Sequence, residues 1–256
     1  MTFEEWINNP AGKSAVMTNR QMYRDMYTAK FNKVMLREGN SFKYHCYKTK
    51  HNEFIIHIKV PSEVVPNFYY DVVVSFTSKI PTSITTTNLN KYDVQFYTNS
   101  PDFVYTHCHA YNKNKLFFTD LEKKMSKLSL TQKAKERNPN DSVGYVKSIY
   151  FAYLIMKYKD LFSKSNFIDS YDKKAFINEI RQAEEVVEMR QLAEEKMRRD
   201  AKNAKAVEAD RQRDLETSRK SLPSSARSKI VNNIGSTKRT NVIGSTSRHV
   251  RRTKRI

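Results

Sequence analysis

The last third of the chain has too little apolar surface to bury by itself, and this restricts every fold open to the whole. Residues 173–220 read as one long, highly charged helix. Over 166–220 there are 13 basic and 13 acidic residues, so this stretch is neutral. From Ser221 onward no acidic residue occurs. Arg227, Lys229, Lys238, Arg239, Arg248, Arg251, Arg252, Lys254 and Arg255 give that end a charge of +9. A chain of this kind gains little from propensity alone. A basic tail with so few apolar side chains is expected to stay disordered until something binds it.

Within the helix, Phe176, Ile180, Ala183 and Val187 form one apolar line. It thins to Met189, Ala193, Met197, Ala201 and Ala204. Small residues at this spacing suit a narrow seam against another helix better than a wide core. Opposite charges four apart at Glu194/Arg198, Glu195/Arg199 and Glu216/Lys220 add only ~0.2–0.5 kcal/mol each. The two readings are a helix held by a partner chain and a solvated helix. Asp169 or Ser170 is expected to cap it, and Leu222-Pro223 ends it. The tail carries a short near-repeat, Asn233-Ile-Gly-Ser-Thr237 and Val242-Ile-Gly-Ser-Thr246, too few copies for a solenoid.

The first two thirds read as a globular α+β domain over 1–165. The long charged helix then occupies 166–222 and the basic flexible tail 223–256. Thr2 and Glu5 predict a capping box for a short helix that buries Phe3, Trp6 and Ile7. Thr18 and Gln21 repeat that signature. Tyr23, Met26, Tyr27, Phe31, Val34 and Met35 follow at helical spacing, and Gly39 is a natural stop. The runs 42–47 and 53–60 alternate, with His51-Asn52 between them as a hairpin turn. Residues 68–76 form the most β-branched and aromatic run, placed centrally. Residues 80–90 read as an exposed loop. Runs 92–97 and 103–107 complete an antiparallel sheet of about five strands, with the early helix on one face. Thr119 or Asp120 is expected to cap a short helix through Lys127. Residues 144–159 are apolar almost all round and predict a buried helix.

Candidate chemistry in the body is sparse. His107 and His109 fall on one side of the expected strand and Cys108 on the other, with His45 and Cys46 elsewhere on the sheet. Paired zinc ligands in tight turns are missing, so no metal is expected. There is no phosphate-cradling Gly-rich loop with Lys, no His-Glu-x-x-His and no Gly-x-Ser-x-Gly. Asp71 lies mid-strand with no visible acid–base companion. The expectation is therefore a protein that is not an enzyme, with no cofactor and no small-molecule substrate. The net charge of +19 favours polyanionic partners. Phosphate contacts by the tail would be sequence-independent and steeply salt-dependent. It has no aromatic residue to stack on bases, so double-stranded DNA is the expected nucleic-acid partner. Two cysteines, no secretion signal and no apolar run of ~18 residues suit a protein made in a reducing cytoplasm, away from membranes.

Several stretches carry a resemblance together. They are Val60-Pro-Ser-Glu-Val-Val-Pro66, Phe68-Tyr-Tyr-Asp-Val-Val-Val74, Tyr97-Thr-Asn-Ser-Pro-Asp-Phe-Val-Tyr105, Asp120-Leu-Glu-Lys-Lys-Met-Ser126, Glu136-Arg-Asn-Pro139 and Gly144-Tyr-Val-Lys-Ser-Ile-Tyr-Phe-Ala-Tyr-Leu154. Over roughly residues 1–162 the chain resembles a family of structural proteins encoded by tailed bacteriophages. The resemblance brings no catalytic motif. It implies a virion component, made in the host cytoplasm, at the head–tail junction (connector or collar) or in the tail. A homo-oligomeric ring touching other virion proteins is the implied setting, with the C-terminal arm on neighbouring subunits or packaged DNA. The alternative is a free nucleic-acid-binding or regulatory protein that uses the basic tail.

Overall fold

A computed structural model describes residues 1–9, 20–39, 41–51, 53–77 and 88–221. The chain divides into two units, Met1–Lys196 and Met197–Ile256. The first is an α+β fold whose described residues form one five-stranded sheet in the order β4-β3-β2-β1-β5.

The short helix α1 (Phe3–Asn8) starts at the expected capping box: the Glu5 N–H donates to Thr2 Oγ1 at 3.1 Å, and the Thr2 N–H to Glu5 Oε2 at 2.7 Å. Phe3, Trp6 and Ile7 are buried. Helix α2 (Arg20–Glu38) ends at Gly39, whose φ of +73° is the left-handed conformation that favours glycine. The Thr18 cap lies outside the described residues.

Strands β1 (Tyr44–Lys48), β2 (Phe54–Pro61), β3 (Tyr69–Thr77) and β4 (Asp93–Thr98) pair antiparallel in sequence order. The two faces of the sheet differ in chemistry, as the two-residue period of a strand allows. On one face Ile56, Ile58, Val72, Val74, Phe76 and Phe96 are buried. Phe3 packs edge-on against Phe76, and Trp6 packs at a tilt against Phe96. The other face carries Ile55, His57, Lys59, Asp71, Val73 and Tyr97.

The run 103–107 is helical, which corrects the fifth strand expected there. A single π turn (Phe103–His107) leads into helix α3 (Cys108–Lys113). Its buried residues, Phe103, Val104, Cys108 and Tyr111, recur at helical spacing, and Pro101 occupies the first helical turn, where a missing N–H costs nothing. A five-residue run is too short for periodicity to separate the two states.

A 3-10 segment (Thr119–Lys124) and helix α4 (Lys127–Thr131) follow, with Ser126 capping the latter. Helix α5 (Lys147–Tyr158) is buried as expected, stacked on the sheet and on α2 through Phe151–Phe31 and Tyr150–Tyr27 contacts. The fifth strand is the two-residue β5 (Asp169–Ser170), parallel to β1 through Tyr47–Asp169 and Lys48–Ser170. The sheet is therefore mixed.

Asp169 and Ser170 thus do not cap a helix. Asp172 does, accepting from the Lys174 and Ala175 N–H groups at the start of α6 (Lys173–Glu179). The expected single helix is broken: Ile180 takes an extended conformation, and α7 (Ala183–Ser221) begins anew. The break has a cause, since Phe176, Ile180, Ala183, Val186 and Val187 are all buried. These residues belong to the first unit, Met1–Lys196. In the second unit, every side chain from Met197 to Ser218 is exposed. The basic tail lies outside the described residues. Among those described, no helix is long and apolar enough to cross a membrane.

Candidate functional site

Strand β3 brings Asp71 opposite Lys59 of β2, and the two-residue period puts His57 on the same face. Asp71 is wholly buried, at 0% exposure. One carboxylate oxygen accepts from His57 Nε2 at 3.0 Å and from Lys59 Nζ. The other accepts from Asn99 Nδ2 at 2.8 Å, and from the Arg181 N–H and Nε at 3.4 Å each. The Asn99 carboxamide oxygen accepts in turn from the Asp71 N–H at 2.9 Å. Arg181 also donates through Nη2 to the Tyr69 carbonyl, and Tyr97 donates to the Arg181 carbonyl at 3.4 Å. One carboxylate thus ties β2, the turn after β4 and the break between α6 and α7.

A second carboxylate approaches from α6. Glu179 Oε1 lies 3.3 Å from His57 Nδ1, close enough for its charge to act, though too poorly aligned for a hydrogen bond. Burial alone pushes His57 toward the neutral ring. Asp71 and Glu179 outweigh it, so its pKa is raised and the imidazolium is favoured. Burial likewise disfavours the Asp71 anion, but hydrogen bonds from His57 and Lys59 hold its carboxyl well below the usual range. Contact with His57 lowers Glu179. His57 is 1% exposed and sealed beneath Phe176, whose ring meets it edge-on. Chemically the cluster is a brace that pins the start of α7 to the sheet.

Beside this brace opens a cleft of about 310 Å³. Lys43, Lys59 and Arg181 line it, with Ser41, Asn67 and Phe68. The guanidinium of Arg181 lies over the Phe68 ring, 5.8 Å from its centre. No carboxylate is among the residues that line it.

The other sequence candidates fall elsewhere. Arg227, Lys229, Lys238, Arg239, Arg248, Arg251, Arg252, Lys254 and Arg255 all lie outside the described residues. His107 and His109 do not share a strand face. The His107 ring packs under Gly144, where a Cβ would come within 2.9 Å of its Cε1. His109 meets Asp141 at 2.8 Å. Burial pushes the Cys46 and Cys108 thiols up to about 12. Among the described residues, no group of three or more His, Cys, Asp or Glu converges to hold an ion.

Sequence reasoning singled out Asp71 and missed its companions. The signal for two of them was present: a tight β2–β3 register puts Lys59 opposite Asp71, and His57 two residues along. Nothing local points to Arg181, 110 residues away. A comparison of the chain with family models, with curated proteins and with solved structures finds no match in any of the three.

Proposed function

We propose that this chain is an assembly protein of a tailed-bacteriophage particle, placed at the head–tail junction or in the tail. The folded body packs beside copies of itself, and its C-terminal arm engages a neighbouring subunit or packaged DNA. One observation carries this reading: α7 continues through the second unit with every described side chain in solvent, Met197, Val207 and Leu215 among them at 40%, 68% and 58% exposure. Most helical stability in proteins comes from packing of an apolar face, which this stretch lacks, and its apolar stripe is narrow enough for one partner helix. The resemblance over residues 1–162 supplies the particle. Light scattering after gentle size separation, with mass spectrometry of purified virions, tests the reading. A multimer present in particles is expected. A strict monomer that never enters a virion would defeat it.

A free nucleic-acid-binding role is favoured by one feature, the +9 charge after Ser221 with nothing acidic to oppose it. It predicts duplex binding whose log affinity falls linearly with log salt and is lost when that tail is removed. Affinity unchanged by the truncation would reject it.

A further inference from the structure

We propose that the cleft beside the Asp71 brace is a binding site for a phosphate group, independent of the basic tail. The Lys59 N–H donates to the Lys43 carbonyl at 2.9 Å, so the two lysines are cross-strand neighbours. Like charges placed opposite each other on a sheet are destabilising. Arg181 adds a third cation from the break before α7. Two carboxylates stand near these three: Asp71, whose oxygens are already met by His57, Lys59, Asn99 and Arg181, and Glu179, which lies against His57 and within the field of Lys59. Glu38, near the rim, is also committed: it accepts from Arg37, the Asn67 N–H and the Tyr69 hydroxyl. The three cations that line the cleft therefore outnumber the two carboxylates beside it, and no carboxylate lines the cleft itself.

The geometry suits a tetrahedral dianion. Arg181 is held in place by Asp71, the Tyr69 carbonyl and the Phe68 ring, so its guanidinium needs no reordering to meet a ligand. Lys59 spends one of its three donors on Asp71, and its side chain stays 27% exposed. Lys43 is exposed and forms no ion pair among the described residues. Ser41 and Asn67 supply neutral polar groups at the wall. A volume of about 310 Å³ exceeds what one phosphate fills. The phosphate can therefore arrive free, on a small nucleotide or on a nucleic-acid backbone.

Amine-acylation footprinting of the full chain, read by mass spectrometry, tests the site. Inorganic phosphate, adenosine monophosphate and a short DNA duplex are each compared with chloride at equal ionic strength. Saturable slowing of acylation at Lys43 is expected, with Lys202 of α7 unaffected by the two small ligands. Slowing by inorganic phosphate or the nucleotide identifies a small-molecule source, and slowing by duplex alone identifies the backbone. Followed by acylation at Lys59, the cleft lysine that remains, Lys43→Gln, at an exposed position outside the brace, should weaken binding about tenfold, the loss of one charge-assisted contact. Lys202→Gln should leave it unchanged. The proposal is overturned if none of the three slows Lys43 saturably, if the small ligands slow Lys202 equally, or if Lys43→Gln binds as tightly as the parent.

Discussion

Helix α5 buries seven of its twelve residues against the sheet and α2, whereas α7 buries none of its side chains between Met197 and Ser218. Both have helical sequences, but they draw on different sources of order. α5 is held by packing: Phe151, Ile155 and Met156 are enclosed, and their burial outweighs the modest propensity of a run rich in Tyr, Phe and Ile. The exposed part of α7 has only propensity and short-range charge pairs, such as Arg213 with Asp210 at 3.3 Å. Such pairs contribute a few tenths of a kcal/mol each. Stability therefore belongs to the body, and the exposed part of α7 draws none from packing.

The sharpest way to break this contrast is at the brace where α7 is pinned. Asp71→Asn leaves Lys59, Arg181 and His57 facing a neutral amide in a buried site. Removing one partner of such a network costs about 3–5 kcal/mol, to be read as a lowered midpoint in chemical denaturation of the body. Phe151→Ala tests the packing side of the comparison, with an expected loss of about 3–5 kcal/mol from the transfer term and the cavity. If either change left the midpoint in place, the body would not owe its stability to the contacts described.

A pH series sharpens the same point. Asp71 has a depressed folded-state pKa, so its contribution is present above the unfolded value near 3.8 and lost as pH falls through the lower folded value. His57 is raised, so its contribution is full below the unfolded value of 6.5 and lost as pH rises through the higher folded value. Stability from the brace should be greatest between these two unfolded values. In His57→Gln the decline on the alkaline side should vanish while the acid limb remains, measured by denaturation across pH. An alkaline limb unchanged in that variant would remove His57 from the account. The smallest effect belongs to the arm: Ala204→Gly lowers local helix stability by about 1 kcal/mol, seen as lost helical circular dichroism with no shift in the midpoint of the body.

The parts of the fold that could be read in the sequence are those fixed locally. The Thr2–Glu5 box, the Gly39 stop, the four long strands and the buried α5 each follow from a cap, a turn residue or a period. What escaped was set by distance. The strand expected at 103–107 is a helix because a five-residue run carries too little periodicity, and α3 is decided by how Phe103 and Tyr111 fit the core. The break at Ile180 was hidden because a charged helical pattern continues on both sides of it. The burial of Ile180 and Ala183 and the reach of Arg181 to Asp71, both long-range, accompany the stop and restart there. Half of the brace was legible from strand register, and the rest needed the third dimension.

Hydrogen exchange on the purified chain, with no companion molecule present, tests the central claim most directly. The account predicts amides of β2 and β3 that exchange only with global unfolding, while those of 197–221 exchange within the shortest labelling times. Protection over 197–221 equal to that of the central strands, in a chain shown to be monomeric, would contradict it.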